Sequence, residues 1–81
     1  MTLTERIDLA LENARRWGHK PSHLVLAPAD YVELLQQAAD PEAARRRFLY
    51  REVRVLQGDL LQQSELISYT VSGLEAHAAL A

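Results

Sequence analysis

The chain has 81 residues, of which 48% are hydrophobic and 25% are charged, and its net charge is −2. This composition is typical of a single folded globular domain with a small core, and it argues against a disordered chain. Cysteine is absent, which excludes disulfides and thiolate metal sites, and no apolar run reaches the roughly 20 residues of a membrane-spanning helix, so we expect a soluble cytoplasmic protein.

The first predicted element is an amphipathic helix over residues 3–17. Thr2 and Glu5 are three residues apart, as in a capping box, and Gly18 supplies a left-handed stop. Trp17 at the end of this helix is most simply a core residue, and the alternative is a half-exposed interface anchor. The apolar face contains Leu3, Ile7, Ala10, Leu11, Ala14 and Trp17.

A strand followed directly by a helix is the central unit of the predicted fold. Residues 24–27 form an apolar run typical of a strand buried on both faces, and the turn over residues 18–22 precedes it. Pro28 suits the first helical position, because its missing N–H would have no partner there. The apolar stripe of this second helix contains Tyr31, Leu34, Leu35 and Ala38.

The segment after the second helix combines a helix start with a change of period. Asp40, Pro41 and Glu42 are typical of a capped start, leading either into a short helix or into a kinked continuation of the second helix. Residues 48–56 are rich in aromatic and β-branched side chains, which predicts a strand. Its alternation would place Leu49, Val53 and Val55 on one face and Phe48, Tyr50 and Leu56 on the other.

Two segments in the last third of the chain are compatible with more than one secondary structure. Residues 60–64 are compatible with a loop or with a helical turn. Residues 65–71 alternate as a strand does, and Ser72-Gly73 ends it. Residues 74–81 are rich in alanine and allow a short C-terminal helix.

These elements predict a small α/β (α+β) single domain in the order helix, strand, helix, strand, strand. The sheet is expected to be mixed and three-stranded, with helices packed on it and the apolar first strand in the centre. The other two strands are expected to pair antiparallel, although the length of the connection between them leaves other pairings open. Arg51, Glu52 and Arg54 suit a charged edge, and the alternative is that this edge pairs with another copy in a homodimer.

The histidines are the candidate metal ligands. His19 and His23 are four residues apart, the spacing of two ligands on one helical face, but Gly18 and Pro21 interrupt a helix there. Polar loop histidines are therefore the favoured interpretation, and His77 falls in the C-terminal tail. With no GxSxG elbow and no phosphate-binding glycine loop, we predict no catalytic residue, metal site or cofactor. A non-enzymatic protein is favoured over an enzyme whose site is assembled in space.

Arginines form the most informative polar feature. Residues 41–57 have a net charge of +3, and residues 58–81 have a net charge of −3. Arginines near an exposed Tyr50 can hold phosphates and stack on bases. Three consecutive arginines on a helix point in different directions, however, so a solvated and salt-bridged face is favoured. The candidate phosphate or partner contacts are Arg45, Arg46, Arg47, Arg51 and Arg54, and the candidate interface residues are Trp17 and Tyr50.

Two segments of this chain match a recurring pattern. The apolar run 24–27 leads into Pro28, Tyr31 and Leu34, and a later strand contains Tyr50, Val53 and Val55. This resembles tailed-phage major capsid proteins and small phage-encoded relatives, in which an apolar strand ends in a proline-initiated helix and a later strand often reads Y-x-G-x-x-V. Glu52 stands where that pattern has glycine. The resemblance covers less than half of the chain and implies a structural or assembly role without catalysis.

The sequence thus leads to two functional hypotheses. The first is a non-enzymatic domain that works by protein–protein contact, with itself as a homodimer or with another protein. The second is a nucleic-acid or phosphate-binding module that uses the arginine segment 45–54. No membrane contact is expected in either case.

Overall fold

The structure, a computed structural model, describes residues 1–80, which form three helices and five strands. None of these helices is long and apolar enough to cross a membrane. The helices are α1 (Leu3–Arg16), α2 (Pro28–Gln36) and α3 (Pro41–Arg46). The strands are β1 (Lys20–Leu26), β2 (Leu49–Tyr50), β3 (Val53–Gln57), β4 (Glu65–Tyr69) and β5 (Glu75–Ala79).

The five strands form one mixed sheet in the order β2-β3-β1-β4-β5. β1 and β3 are parallel, and the other neighbours are antiparallel. The predicted mixed sheet and the central position of β1 are confirmed, whereas the prediction of three strands is wrong. The predicted pairing of the strands in 48–56 and 65–71 is also wrong, because β1 lies between β3 and β4. β3 is therefore an interior strand and not the charged edge.

The helix α1 begins and ends as its local sequence predicts. The Thr2 hydroxyl accepts the N–H of Glu5, and the Glu5 carboxylate accepts the N–H of Thr2, which completes the capping box. Gly18 follows the helix with a φ of 78°. Buried Ile7 and Leu11 pack this helix onto the sheet, and Trp17 lies outside that contact as the C-cap.

The helices cover only one face of the sheet. Along β1, Leu24 and Leu26 are fully buried, whereas Val25 between them is only partly buried. Successive strand residues point to opposite faces, so Val25 and His23 lie on the face without helices. The prediction that this strand is buried on both faces is therefore wrong. β1 also begins earlier than predicted, at Lys20 rather than at residue 24.

Residues 48–56 form a hairpin instead of one strand. Tyr50 pairs with Val53, and the two turn residues between them have positive φ values, 48° for Arg51 and 68° for Glu52. Positive φ at both positions is typical of the two-residue turn whose twist suits a hairpin. The turn resets the alternation, so the predicted faces are wrong: Phe48, Val53 and Val55 are buried, and Leu49 is exposed.

The C-terminal segment is a strand, and not the short helix that its alanines allow. β5 pairs with β4 from Glu75↔Tyr69 to Ala79↔Glu65. Leu80 after it is buried at 2% exposure, and its N–H donates to the carbonyl of Ser64 over 2.9 Å. These backbone pairs and the burial of Leu80 outweigh the helix propensity of the alanines. Residues 60–64 contain no helix.

Candidate functional site

The outer edge of β5 presents unpaired backbone groups. The N–H of Leu80 donates to the Ser64 carbonyl, and the N–H of Thr70 donates to the Leu74 carbonyl, so even-numbered residues of this segment face β4. Backbone groups in an antiparallel strand alternate in direction, so the odd-numbered residues face away from β4. The outward groups belong to Glu75, His77 and Ala79. β5 has five residues, and none of them is a lysine or a proline, the residues that commonly protect an edge strand. This edge can therefore accept another strand.

A groove of about 260 Å³ runs between α1 and β5 on the helix side of this edge. It exists because the facing side chains are short, with Ala10 and Ala14 on the helix and Ala76 and Ala78 on the strand. Trp17 also lines the groove and is 77% exposed. The prediction that Trp17 is a core residue is therefore wrong, and its surface is available next to the open edge. An exposed tryptophan beside a small-residue groove is typical of an interface anchor.

On the opposite side of β5, the His77 ring lies between two carboxylates. Its Nε2 is 2.5 Å from Oε1 of Glu75, and its Nδ1 is 3.0 Å from Oε1 of Glu65. The hydrogen bond to Glu75, followed by the one to Glu65, raises the pKa of His77 above its ordinary value. The two carboxylates therefore favour the cationic form of this imidazole on the open face of the edge strand.

The second edge of the sheet is much shorter. β2 has only two residues and ends in the Arg51-Glu52 turn. The Tyr50 hydroxyl donates to Oδ1 of Asp8 over 2.8 Å, and Nε of Arg51 lies 2.9 Å from the same oxygen. Burial is the main cause that raises the pKa of Tyr50, and Arg51 partly opposes it. Tyr50, which the sequence suggests as an interface residue, is thus half-buried and hydrogen-bonded to Asp8 of α1.

The five candidate arginines are distributed over several elements. Arg45 and Arg46 lie in the last turn of α3, and Arg47 is its C-cap. Arg51 lies in the hairpin turn, and Arg54 lies on the open face of the sheet, where it is in register with His23. Within residues 1–80, Arg51 is the one member of this set that forms an ion pair, with Asp8.

A buried polar cluster was missed by the sequence analysis. Ser64 is 1% exposed, and its hydroxyl accepts the N–H of Ala27 over 2.8 Å and donates to Asp30 over 2.6 Å. Ala27 is the N-cap of α2 and has no side-chain oxygen, so Ser64 supplies the capping oxygen from a distant loop. Both hydrogen bonds organise the start of α2. The only signal in the sequence was a serine directly before a predicted strand.

His19 and His23, the two histidines at a ligand spacing, do not converge with other ligand side chains. His19 precedes β1, and Nδ1 of His23 lies 2.7 Å from the hydroxyl of Ser22 on β1. Within residues 1–80, no three side chains of His, Asp or Glu are grouped as a metal site requires. Comparison of the chain with protein-family models, curated proteins and solved structures gave no match.

Proposed function

We propose that this domain works by protein–protein contact, in which a strand of the partner is added at the β5 edge. The observation that supports the proposal is the set of outward backbone groups on Glu75, His77 and Ala79 beside the groove of Trp17. Main-chain hydrogen bonds at such an edge supply affinity, and neighbouring pockets supply specificity. The role is structural, in assembly, and needs no catalytic residue.

The resemblance to tailed-phage capsid-type proteins supports an assembly role. The comparison had one discrepancy, because Glu52 stands where the resembled pattern has glycine. Glu52 has a φ of 68°, which is the backbone conformation that glycine adopts without strain. The position therefore has the geometry that would favour glycine, even though this chain has glutamate there.

The proposal is tested by blocking the edge without disturbing the β4–β5 ladder. In Ala79→Pro, the lost N–H points away from β4, so the hydrogen bonds within the domain remain. Ala39→Pro is the matched control, because Ala39 is exposed in the turn after α2. The wild-type domain and both variants are immobilised, offered cell extract and the free domain, and the retained proteins are identified by mass spectrometry.

We expect the wild-type domain and Ala39→Pro to retain the same identified protein, and Ala79→Pro to lose it. Far-UV circular dichroism checks that all three domains are folded. Equal retention by the wild-type domain and Ala79→Pro would contradict strand addition at β5. Amide exchange at high dilution gives a second check, because the N–H groups of His77 and Ala79 should exchange much faster than those of Ala76 and Ala78.

A nucleic-acid or phosphate contact is the second candidate function. It is supported by Arg45, Arg46, Arg47 and Arg54, which form no ion pair within residues 1–80. Binding of a fluorescent oligonucleotide at low and high salt tests it, because phosphate contacts weaken steeply as salt is raised. Arg54→Ala should weaken such binding. Absent or salt-independent binding would exclude this function.

A further inference from the structure

We propose that the added strand is β5 of a second copy of this chain, paired antiparallel so that Glu75 lies opposite the partner's His77. This inference rests on the proposed function, because it requires that the β5 edge accepts a strand. It specifies the partner and the register. The second edge of the sheet is a poor alternative, since β2 has only two residues.

The backbone restricts the possible registers. Outward N–H and C=O groups belong to the odd-numbered residues of β5, so two copies form a ladder only when odd residues face odd residues. This leaves registers that differ by steps of two residues along the strand. Three of them bring charged side chains into opposition: Glu75 against the partner's Glu75, Glu75 against the partner's His77, and His77 against the partner's His77.

Charge distinguishes these three registers. Pairing of Glu75 with the partner's Glu75 opposes two carboxylates, and pairing of His77 with the partner's His77 opposes two imidazoles whose cationic form the neighbouring carboxylates favour. Like charges directly opposite one another destabilise a strand pair. The proposed register instead forms two identical Glu75–His77 pairs, related by the twofold axis. Charge complementarity therefore favours it, although the His77–His77 register would pair all five residues of β5.

The groove gives a second reason to infer that the partner is another copy of the same chain. Side chains of paired residues lie on the same face, so the helix side of each copy continues into the helix side of the other. The groove of Ala10, Ala14, Ala76, Ala78 and Trp17 then borders the junction in both copies. A dimer would therefore bring this groove and the 77% exposed Trp17 of both copies next to the paired edges. Such a twofold interface uses the same patch on both subunits.

A disulfide test can read the register, because the chain contains no cysteine. In the proposed register Ala76 faces the partner's Ala76 as a non-hydrogen-bonded pair, with Cα atoms about 4.5 Å apart. That distance is within the reach of a disulfide. Ala78→Cys is the matched control, because its two copies would be about 14 Å apart along the strands. His77→Cys detects the alternative register, in which His77 lies opposite the partner's His77.

Each single-cysteine variant is oxidised, and the linked dimer is measured by non-reducing gel electrophoresis. We expect at least about tenfold more linked dimer for Ala76→Cys than for Ala78→Cys or His77→Cys, because only the first pair has disulfide geometry. Addition of His77→Pro to Ala76→Cys should remove the linked dimer, because the proline removes an outward N–H that the proposed register pairs with the partner's Glu75. Equal linking by all variants, or preferential linking by His77→Cys, would overturn the proposed register.

A charge exchange gives an independent measurement. In Glu75→Lys alone, the new lysine faces the partner's His77, which places two cations opposite each other. In His77→Glu alone, the new glutamate faces the partner's Glu75, which places two carboxylates opposite each other. Each variant should therefore be monomeric by light scattering. Their mixture restores two opposite-charge pairs and should form a dimer. A mixture that stays monomeric would contradict the inference.

If the wild-type domain is monomeric at every concentration but Ala79→Pro abolishes capture of a different protein, this inference fails and the proposed function stands. If neither is seen, both fail.

Discussion

The hydroxyl of Ser64 donates a 2.6 Å hydrogen bond to the carboxylate of Asp30, which lies 34 residues earlier in the chain. The same hydroxyl accepts the N–H of Ala27. Arg6 from α1 approaches the other oxygen of Asp30 at 3.8 Å. One buried serine therefore joins the loop before β4 to the start of α2, and the position of β4 beside β1 depends in part on that contact.

Replacement of this hydroxyl should destabilise the domain. Ser64→Ala leaves the buried N–H of Ala27 without its acceptor, so we expect the free energy of unfolding to fall by about 1–3 kcal/mol. Ser72→Ala is the control, because Ser72 is exposed in the turn before β5 and its replacement should change stability by less than about 0.5 kcal/mol. Urea unfolding followed by circular dichroism measures both. Equal effects of the two variants would show that the Ser64 contact contributes no stability.

The hairpin turn offers a stabilising substitution. Glu52 has a φ of 68°, a region that is strained for a residue with a Cβ atom. Glu52→Gly removes a strain of roughly 1–2 kcal/mol but adds freedom to the unfolded chain, so we expect a net gain of up to about 1 kcal/mol. Glu42→Gly in the first turn of α3 should instead lower the free energy of unfolding. Thermal unfolding compares the two, and destabilisation by Glu52→Gly would contradict the strain argument.

The imidazole of His77 should titrate above its ordinary pKa of 6.5. The hydrogen bond to Glu75 is the larger cause and that to Glu65 the smaller, so Glu75→Gln should lower the pKa more than Glu65→Gln. Because the folded pKa is raised, the stabilisation is complete below pH 6.5 and is lost as the pH rises through the folded pKa. NMR titration of the ring protons measures it, with exposed Glu33→Gln as the control. A His77 pKa at or below the ordinary value would contradict the arrangement.

Trp17 should contribute to association and little to folding. Its side chain is mostly exposed, so Trp17→Ala should change the free energy of unfolding by less than about 0.5 kcal/mol. Leu11→Ala, on the buried face of the same helix, should lower it by about 2–5 kcal/mol. Light scattering should show weaker self-association for Trp17→Ala. If Trp17→Ala unfolds the domain as Leu11→Ala does, the tryptophan belongs to the core.

Local signals in the sequence determined where the helices begin. The Thr2–Glu5 capping box, Pro28 at the first position of α2 and Asp40 before α3 all act within a few residues of the backbone groups that they satisfy. The Asp40 carboxylate, for example, accepts the N–H of Ala43 over 3.2 Å. Such contacts need no distant partner, so residue type and spacing suffice to predict them.

The candidate site followed from the sequence only in part. The sequence indicates Trp17 as an alternative interface anchor, but for residues 74–81 it suggests only a short helix, because alanine has the highest helix propensity. The alternation of Glu75 and His77 with alanines was compatible with a strand, yet too short to decide against that propensity. Only pairing with β4 turns this segment into the edge of the sheet.

The tertiary structure decided which strands are neighbours, and with them which surface is open. β1 lies between β3 and β4, so the two later strands of the sequence never pair, and β5 becomes the outer strand. Ser64 caps α2 from a loop that no local pattern connects to it. These outcomes depend on backbone groups far apart in the chain, whose pairing is set by burial of Leu24, Leu66 and Leu80 together. Local sequence determines the helix caps and the turns, whereas the neighbour of each strand in the sheet is determined by the packing of the whole domain.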